Sequence, residues 1–263
     1  MAAANHVIYD NFYLANEIED QFNSHLDLAR FCTVDTSLQG VAGMKKIINR
    51  YRATNGTEKL AMGEGNSKSI EVSFEPIEYE IQLAQNHFDY YDEQAMTDPV
   101  AISTGIKHMG TDMFNTSNAD IYAEYNKATL VHNASTPDFA CFVDAVAKMN
   151  IENLEGIELF GFVNPADMAK VRKALKDDLK FVKEFSTHGY VGTVGAVNLF
   201  TKADAVAGTI PVATKEAVRL LVKKGVEVEQ ERDANIRKND VYSRKYYVAA
   251  LENATRVVKI VLE

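Results

Sequence analysis

Apolar side chains recur at steps of three and four from Asn11 to about Arg30, at Leu14, Ile18, Phe22, Leu26 and Ala29, which predicts an amphipathic helix. The helical period stops after Gly40 and Gly43. Met44 to Arg52 (MKKIINRYR) reads as a base-rich strand ending at Asn55-Gly56, a hairpin-turn dipeptide, and Gly63-Glu64-Gly65-Asn66 marks a further bend. The clearest alternation follows. Ile70, Val72 and Phe74 alternate with Glu71, Ser73 and Glu75; beyond Pro76 the apolar phase flips to Ile77, Tyr79, Ile81 and Leu83 against Glu78, Glu80 and Gln82. A one-residue flip at a proline predicts a bulge inside one long bent strand, because the bulge supplies the extra residue and the proline needs no ladder donor.

Thr97-Asp98-Pro99 predicts a helix start, a capping side chain followed by proline at the first helical position. Ile102, Ile106, Met109, Met113, Ile121 and Tyr125 carry that helix to about Ala128, a length of about 45 Å at 1.5 Å per residue. Next comes an α/β block. Pro137 to Met149 reads as a helix with Phe139, Phe142, Val143 and Val146 on one face, and Gly156 to Val163 as a buried strand. Asn164-Pro165 then opens a lysine-rich helix with Met168, Val171, Leu175, Leu179 and Val182. After Gly189, Gly192 and Gly195 the chain turns to strands (VNLFT, TIPVAT, VEVEQE, VYSRKYYVAAL, RVVKIVL), with a last turn at Glu252-Asn253-Ala254.

At 263 residues and 46% apolar side chains the chain is long enough for one or two domains with a sizeable core. A formal charge of -9 excludes a wholesale polycationic nucleic-acid binder. Cys32 and Cys141 lie far apart without metal-ligand spacing and read as buried free thiols. The N-terminus lacks a basic start followed by an apolar stretch, and no apolar run approaches the roughly 18 residues needed to cross a bilayer, so the expectation is a chain with neither signal peptide nor membrane span.

Geometry and charge then point outward. A compact chain of this length has a radius of gyration of about 18 Å. The stretch from Lys68 to Phe88, nearly extended, would span roughly 70 Å. Residues 41 to 88 therefore read as a projecting two-stranded arm, and an isolated hairpin is marginal in water and invites pairing with other chains. Residues 41 to 68 hold Lys45, Lys46, Arg50, Arg52, Lys59 and Lys68 against Glu58 and Glu64, a net +4, which leaves -13 on the rest. These six bases are the expected inter-subunit contacts. A basic arm on an acidic body suits head-to-tail association, which closes into rings when the rotation permits.

The order of elements resembles the major capsid protein of tailed bacteriophages, the HK97 fold. Three stretches carry the likeness: the arm into the long helix (GMKKIINRYRATNGTEKLAMGEG through MTDPVAISTGIKHMGTDMF), GYVGTVGAV, and VEVEQERDANIRKNDVYSRKYYVAALENATRVVKI. The resemblance implies an α+β, HK97-like capsid fold with a long spine helix, an extended β-hairpin arm, and peripheral and axial domains. It maps 1-40 to an N-terminal arm and helix, 41-90 to the extended loop, 91-130 and 226-263 to the peripheral domain, and 131-225 to the axial domain. It further implies a non-enzymatic virion protein without cofactors or metals that self-assembles into hexamers and pentamers of an icosahedral shell around double-stranded DNA, bound without sequence specificity. Assembly would take place in the bacterial host cytoplasm, with no membrane involved. A separate scaffolding protein is implied, since no long N-terminal assembly segment is evident, with a portal and decoration proteins as further partners.

Two other readings stand beside it. An encapsulin-like compartment would keep the fold and load enzyme cargo, and a cytosolic α/β enzyme would use residues 131 to 225 as a ligand-binding core with a concave pocket. Local motifs favour neither. Gly189, Gly192 and Gly195 form GxxGxxG, which reads as a turn and not a phosphate loop. His108 and Asp112 share a helical face, but two ligands make no catalytic metal site. Asp89, Asp92 and Glu93 precede a helix start, where acidic side chains suit the dipole. Asp177, Asp178 and Glu184 interleave with Lys170, Arg172, Lys173, Lys176 and Lys180, which argues for a solvated face over DNA contact. Some family members crosslink a loop lysine to a neighbour's asparagine, roles imaginable for Lys59 and Asn253, but nothing in the spacing supports that pairing.

Overall fold

The computed structural model describes residues 26–152, 154–176 and 192–263. Most of the helix expected from Asn11 to Arg30 and the later part of the lysine-rich helix lie outside the described residues. Leu28–Phe31 forms a single 3-10 turn capped by Asp27, whose carboxylate accepts from the Ala29 N–H at 2.9 Å.

Four strands make the first sheet: β1 (Thr33–Asp35), β4 (Gln82–Tyr91), β10 (Val218–Asp233) and β11 (Lys238–Leu251), in the order β1-β10-β11-β4. Between β1 and β4 the chain leaves the body as β2 (Lys45–Ala53) and β3 (Val72–Glu80), which pair only with each other. A short helix α1 (Asp92–Thr97) follows, and then α2 (Pro99–Asn126), the expected long helix. It begins where the capping chemistry predicts. Asp98 accepts from Val100 and Ala101 N–H at 3.1 and 3.3 Å, and Pro99 takes the first helical position. Ile102, Ile106, Met109, Met113, Ile121 and Tyr125 are all buried, and Ser117, the polar gap in that stripe, is buried with them.

The second sheet has six strands in the order β5-β12-β9-β6-β8-β7. They are β5 (Leu130–Ala134), β6 (Leu159–Val163), β7 (Thr193–Val194), β8 (Val197–Thr201), β9 (Thr209–Thr214) and β12 (Val257–Leu262). Helices α3 (Phe139–Lys148) and α4 (Pro165–Ala174) pack on it, and one core joins Phe142, Val146, Met168 and Val171 to Leu159, Val197 and Ile260. The C-terminal strands thus divide: β10 and β11 join the first sheet, whereas β12 lies between β5 and β9 in the second.

An aromatic cluster welds the two halves. Phe31 lies within 5.3 Å of the ring centroids of Phe160, Phe162 and Phe200, and Tyr125 within 5.7 Å of Phe160 and Phe162. Such tilted and edge-to-face contacts add about 0.5–1.5 kcal/mol per pair beyond burial. The Tyr125 hydroxyl also donates to the Phe31 carbonyl at 2.6 Å, and burial pushes its pKa up. Asn118 on α2 accepts from Leu28 N–H and donates to the Leu26 carbonyl, both at 3.0 Å, so the N-terminal stretch is tied down by backbone as well as by packing. Cys32 and Cys141 are buried free thiols, as expected, and burial raises them to about 12 and about 11.

Candidate functional site: the arm, its root and the groove beside it

The arm departs from expectation in two places. The β2/β3 register runs unbroken from Lys45↔Glu80 to Ala53↔Val72, with Asn49 opposite Pro76, so no bulge forms at the proline. Ile81 N–H donates to the Met44 carbonyl at 2.7 Å, so by alternation position 76 faces away from β2, and an edge position of that kind asks nothing of an N–H. The break falls five residues later, at Ile81, the single residue between β3 and β4, whose side chain is buried in the body. The flip of apolar phase has another cause. Near the body Ile77 and Tyr79 are half-buried, whereas Val72 and Phe74, on the opposite face, are 64% and 65% exposed.

Asn55-Gly56 is not a tight hairpin turn either. Residues 54 to 71 form a long tip loop in which Gly56 is buried; a Cβ there would lie 2.7 Å from the Ile70 nitrogen. Glu58 organises the loop by accepting from the Ser67 N–H and hydroxyl, each at 2.7 Å, and the Ser67 hydroxyl leads in holding its carboxyl below the usual range. Asn66 donates to the carbonyls of Gly56 and Lys68 at 3.3 and 2.7 Å. The loop thus presents Lys59, Leu60, Ala61 and Met62 outward, with Met62 wholly exposed.

The six expected contact bases separate. Lys45 pairs with Glu78 at 2.6 Å across the ribbon, and Lys68 with Glu58 at 3.8 Å. Lys46 turns inward at the root, where it binds Asp35 at 2.5 Å and the Ser37 hydroxyl. Arg50 stands opposite Glu75 and Arg52 opposite Ser73 in the register. Lys59 forms no ion pair among the described residues. The ribbon's most exposed face is apolar: Ile47, Tyr51, Val72 and Phe74 are each about two-thirds exposed, and the Tyr51 and Phe74 rings sit 6.3 Å apart across the strands.

Ion pairs between distant strands hold the root, a feature no local pattern in the sequence announces. Asp35 on β1 accepts from Lys46 and, at 3.1 Å, from Arg219 of β10, which in turn pairs with Glu252 at 2.7 Å. Burial would raise the Asp35 carboxyl, but hydrogen bonds from Lys46, Ser37 and Arg219 prevail and hold it well below the usual carboxylate range. Lys223 donates to the carbonyls of Val41 and Gly43. Gly43 has φ +110°, a conformation open to glycine at little cost, so the chain can turn out of the body there.

Beside the root lies a groove of about 330 Å³ lined by Leu83, Thr116, Asp120, Ala123, Tyr247 and Val248, among others. It exists because the chain ahead of β4 leaves the body as the arm strand β3, so β4 begins only at Gln82. The pairing of β11 with β4 ends at Tyr247↔Gln82, while that with β10 runs on to Leu251↔Val218. The Leu251 N–H on the vacated side is taken by Glu124 at 3.1 Å, and the Tyr247 hydroxyl donates to Asp120 at 2.6 Å.

The remaining candidates resolve into structural roles. Asp92 binds Arg232 and Asn239, and Glu93 binds Arg237, all in the first turn of α1. Asp89 pairs with Lys238 at 3.2 Å. Asp112 accepts from Asn86, and among the described residues no cluster of three metal-ligating side chains occurs. Gly189 is outside the described residues; Gly192 and Gly195 have positive φ, and Gly195 turns the β7–β8 hairpin. Lys170 pairs with the buried Asp167, which also accepts from Gly208 N–H at 2.6 Å. Asn253 caps the 3-10 turn Ala254–Arg256, inside the expected last turn, by accepting from Thr255.

No protein-family model matches the chain. The major capsid protein of Staphylococcus phage phiMR11 is 28% identical over 255 residues, 94% of this chain and 91% of that protein. Among solved structures, the capsid of the cyanophage P-SCSP1u superposes with a TM-score of 0.71 at 11% identity, over 89% of this chain and 86% of that one. A virus-like particle from Pyrococcus furiosus gives a TM-score of 0.65 at 12% identity, over 95% and 97%. At such identities the solved structures fix the fold, while the end-to-end match to a phage protein disfavours the cargo-compartment and enzyme readings. The chain carries the HK97-like fold of phage major capsid proteins, and its role is structural, not enzymatic.

Proposed function

We propose that many copies of this protein tile an icosahedral shell around a double-stranded DNA phage genome, each copy held by the arm of a neighbour. One observation carries the reading: the arm leaves its own body and exposes Ile47, Tyr51, Val72 and Phe74 on one face and Lys59 and Met62 at the tip. An apolar ribbon face of this kind is unstable alone and becomes useful when another copy covers it. Lys59, which has no ion pair among the described residues, then registers the arm on an acidic neighbour together with Arg50 and Arg52, whereas Lys45 and Lys68 are engaged by Glu78 and Glu58 of the arm itself and Lys46 serves from inside the root.

The division of labour follows the mapping 91-130 and 226-263 for a peripheral domain and 131-225 for an axial domain at the centres of hexamers and pentamers, with β12 inserted in the axial sheet. The excess negative charge of the body suits a wall along which packed DNA slides without sticking. A separate scaffolding protein and a portal are the partners such a shell calls for, decoration proteins being an optional addition, and assembly would take place in the host cytoplasm. Electron microscopy of the purified protein, alone and with a scaffold from the same genome, tests the reading. Closed particles are expected. A protein that stays monomeric at high concentration in both conditions overturns it.

A further inference from the structure

The arm meets its body through two kinds of contact. On the underside of the ribbon Ile48, Ile77 and Tyr79 are half-buried, together with Lys46. Apolar burial has no preferred direction, so such a face can slide while losing little. Lys46 is different. Its ammonium reaches from β2 to Asp35 on β1 and to the Ser37 hydroxyl, and charge-assisted hydrogen bonds hold a set geometry. The Lys46 and Asp35 side chains are 22% and 12% exposed, which spares the pair the screening that weakens an open ion pair such as Lys45–Glu78, at 57% and 50%.

The socket is built without the lysine. Ser37 N–H donates to one Asp35 oxygen at 2.9 Å and Arg219 to the other at 3.1 Å, while Arg219 also grips both oxygens of Glu252 at 2.7 and 2.8 Å. Asp35 is thereby fixed from the body side, with Lys46 as the member contributed by the arm.

Leverage gives that one contact reach. Strand β2 runs on from Lys46 to Ala53, about 23 Å at 3.3 Å per residue. A tilt of about 12° at the root moves that end by about 4.8 Å, the distance between neighbouring strands, so a partner laid along the arm falls out of register. We infer that Lys46 is a positioning residue for assembly: seated on Asp35, it fixes the angle at which the arm leaves the body, and that angle sets the curvature, and so the diameter, of the closed particle. The fixed angle is a property of the subunit, whereas its effect on diameter rests on the shell reading. In a head-to-tail array each contact repeats the same rotation, and a spread of arm angles becomes a spread of closures.

Spin labels at Ala53→Cys on the arm and Ala119→Cys on the exposed side of α2 report the angle as a distance in dilute, unassembled subunits; the native thiols of Cys32 and Cys141 are buried. One narrow distance is expected for the labelled parent and for Lys46→Arg, and a distribution roughly twice as wide for Lys46→Met and Lys46→Gln, with unchanged far-ultraviolet circular dichroism. In electron micrographs the unlabelled protein and Lys46→Arg should give particles of a single diameter, and the two neutral variants a mixture of diameters or open sheets. A folded neutral variant whose distance stays as narrow as the parent's overturns the latch, and a widened arm with particles of a single diameter overturns its control of curvature. Unmodified protein that forms no particle overturns the shell reading and the control of curvature together, while the distance widths still decide the latch.

Discussion

Strand β6 and strand β3 are built from the same kinds of residue and meet opposite fates. In β6, Leu159, Phe160, Phe162 and Val163 are buried, with Phe162 and Val163 at 0% exposure, inside a sheet flanked by strands on both sides. In β3, Val72 and Phe74 stand about two-thirds exposed on a ribbon with a single partner strand. The difference teaches that apolar side chains in this protein serve two stages. Those of the body stabilise the monomer, and those of the arm are held in reserve for association, at the cost of an exposed face that burial on a neighbour recovers at about 25 cal/mol per Å².

Four variants would break or sharpen that contrast, in order of their effect on the isolated subunit. Phe162→Ala empties the aromatic cluster and should lower unfolding stability by about 3–5 kcal/mol, seen as a large drop in midpoint by circular dichroism. Asp35→Asn removes the charge that ties β1, β2 and β10 together, and turns one of its two acceptor oxygens into a donor facing other donors, and should cost about 2 kcal/mol. Because folding depresses the Asp35 carboxyl, its contribution is full above the ordinary carboxylate pKa near pH 4, and drains away as pH falls below that toward the depressed value. Wild type and Asp35→Asn should therefore converge in acid, and curves that stay parallel below pH 4 would contradict the root assignment. Asp98→Ala uncaps α2 and should cost about 1 kcal/mol in the same measurement, with no dependence on particle formation. The smallest effect on the subunit falls to the arm: Tyr51→Ser with Phe74→Ser should shift unfolding by less than about 0.5 kcal/mol, yet abolish or sharply reduce particle yield by light scattering. A pair of changes that destabilises the monomer as much as Phe162→Ala would show that the arm belongs to its own core.

The elements legible in the sequence are those whose chemistry is local. Asp98-Pro99 announces α2 by capping and ring geometry, and the stripe from Ile102 to Tyr125 announces its buried face, because both are fixed within a few residues. Strand β5 went unpredicted because its residues alternate only partly, LVHNA, and its existence depends on the distant β12 that pairs with it in parallel. Pro76 invited a bulge because periodicity reports which face is apolar and says nothing about which face is covered. Likewise Asn55-Gly56 has turn chemistry, but the strand pairing closes elsewhere, and the Glu58–Ser67 contacts organise the loop instead.

The site divides in the same way. The sequence alone determined that a stretch with a base-rich first strand and a glutamate-rich alternating second one, too long for a compact subunit, stands before a capped 28-residue helix, since charge and periodicity are properties of the chain itself. It also determined that Lys59 belongs to that stretch. Only the tertiary structure decided that Lys46 faces inward to Asp35, that Ile81 is the pivot, and that a groove opens where β4 leaves β11. Each of these depends on partners up to roughly 180 residues away along the chain, as with Asp35 and Arg219, and contacts of that span are set by how the sheets assemble and not by any local preference.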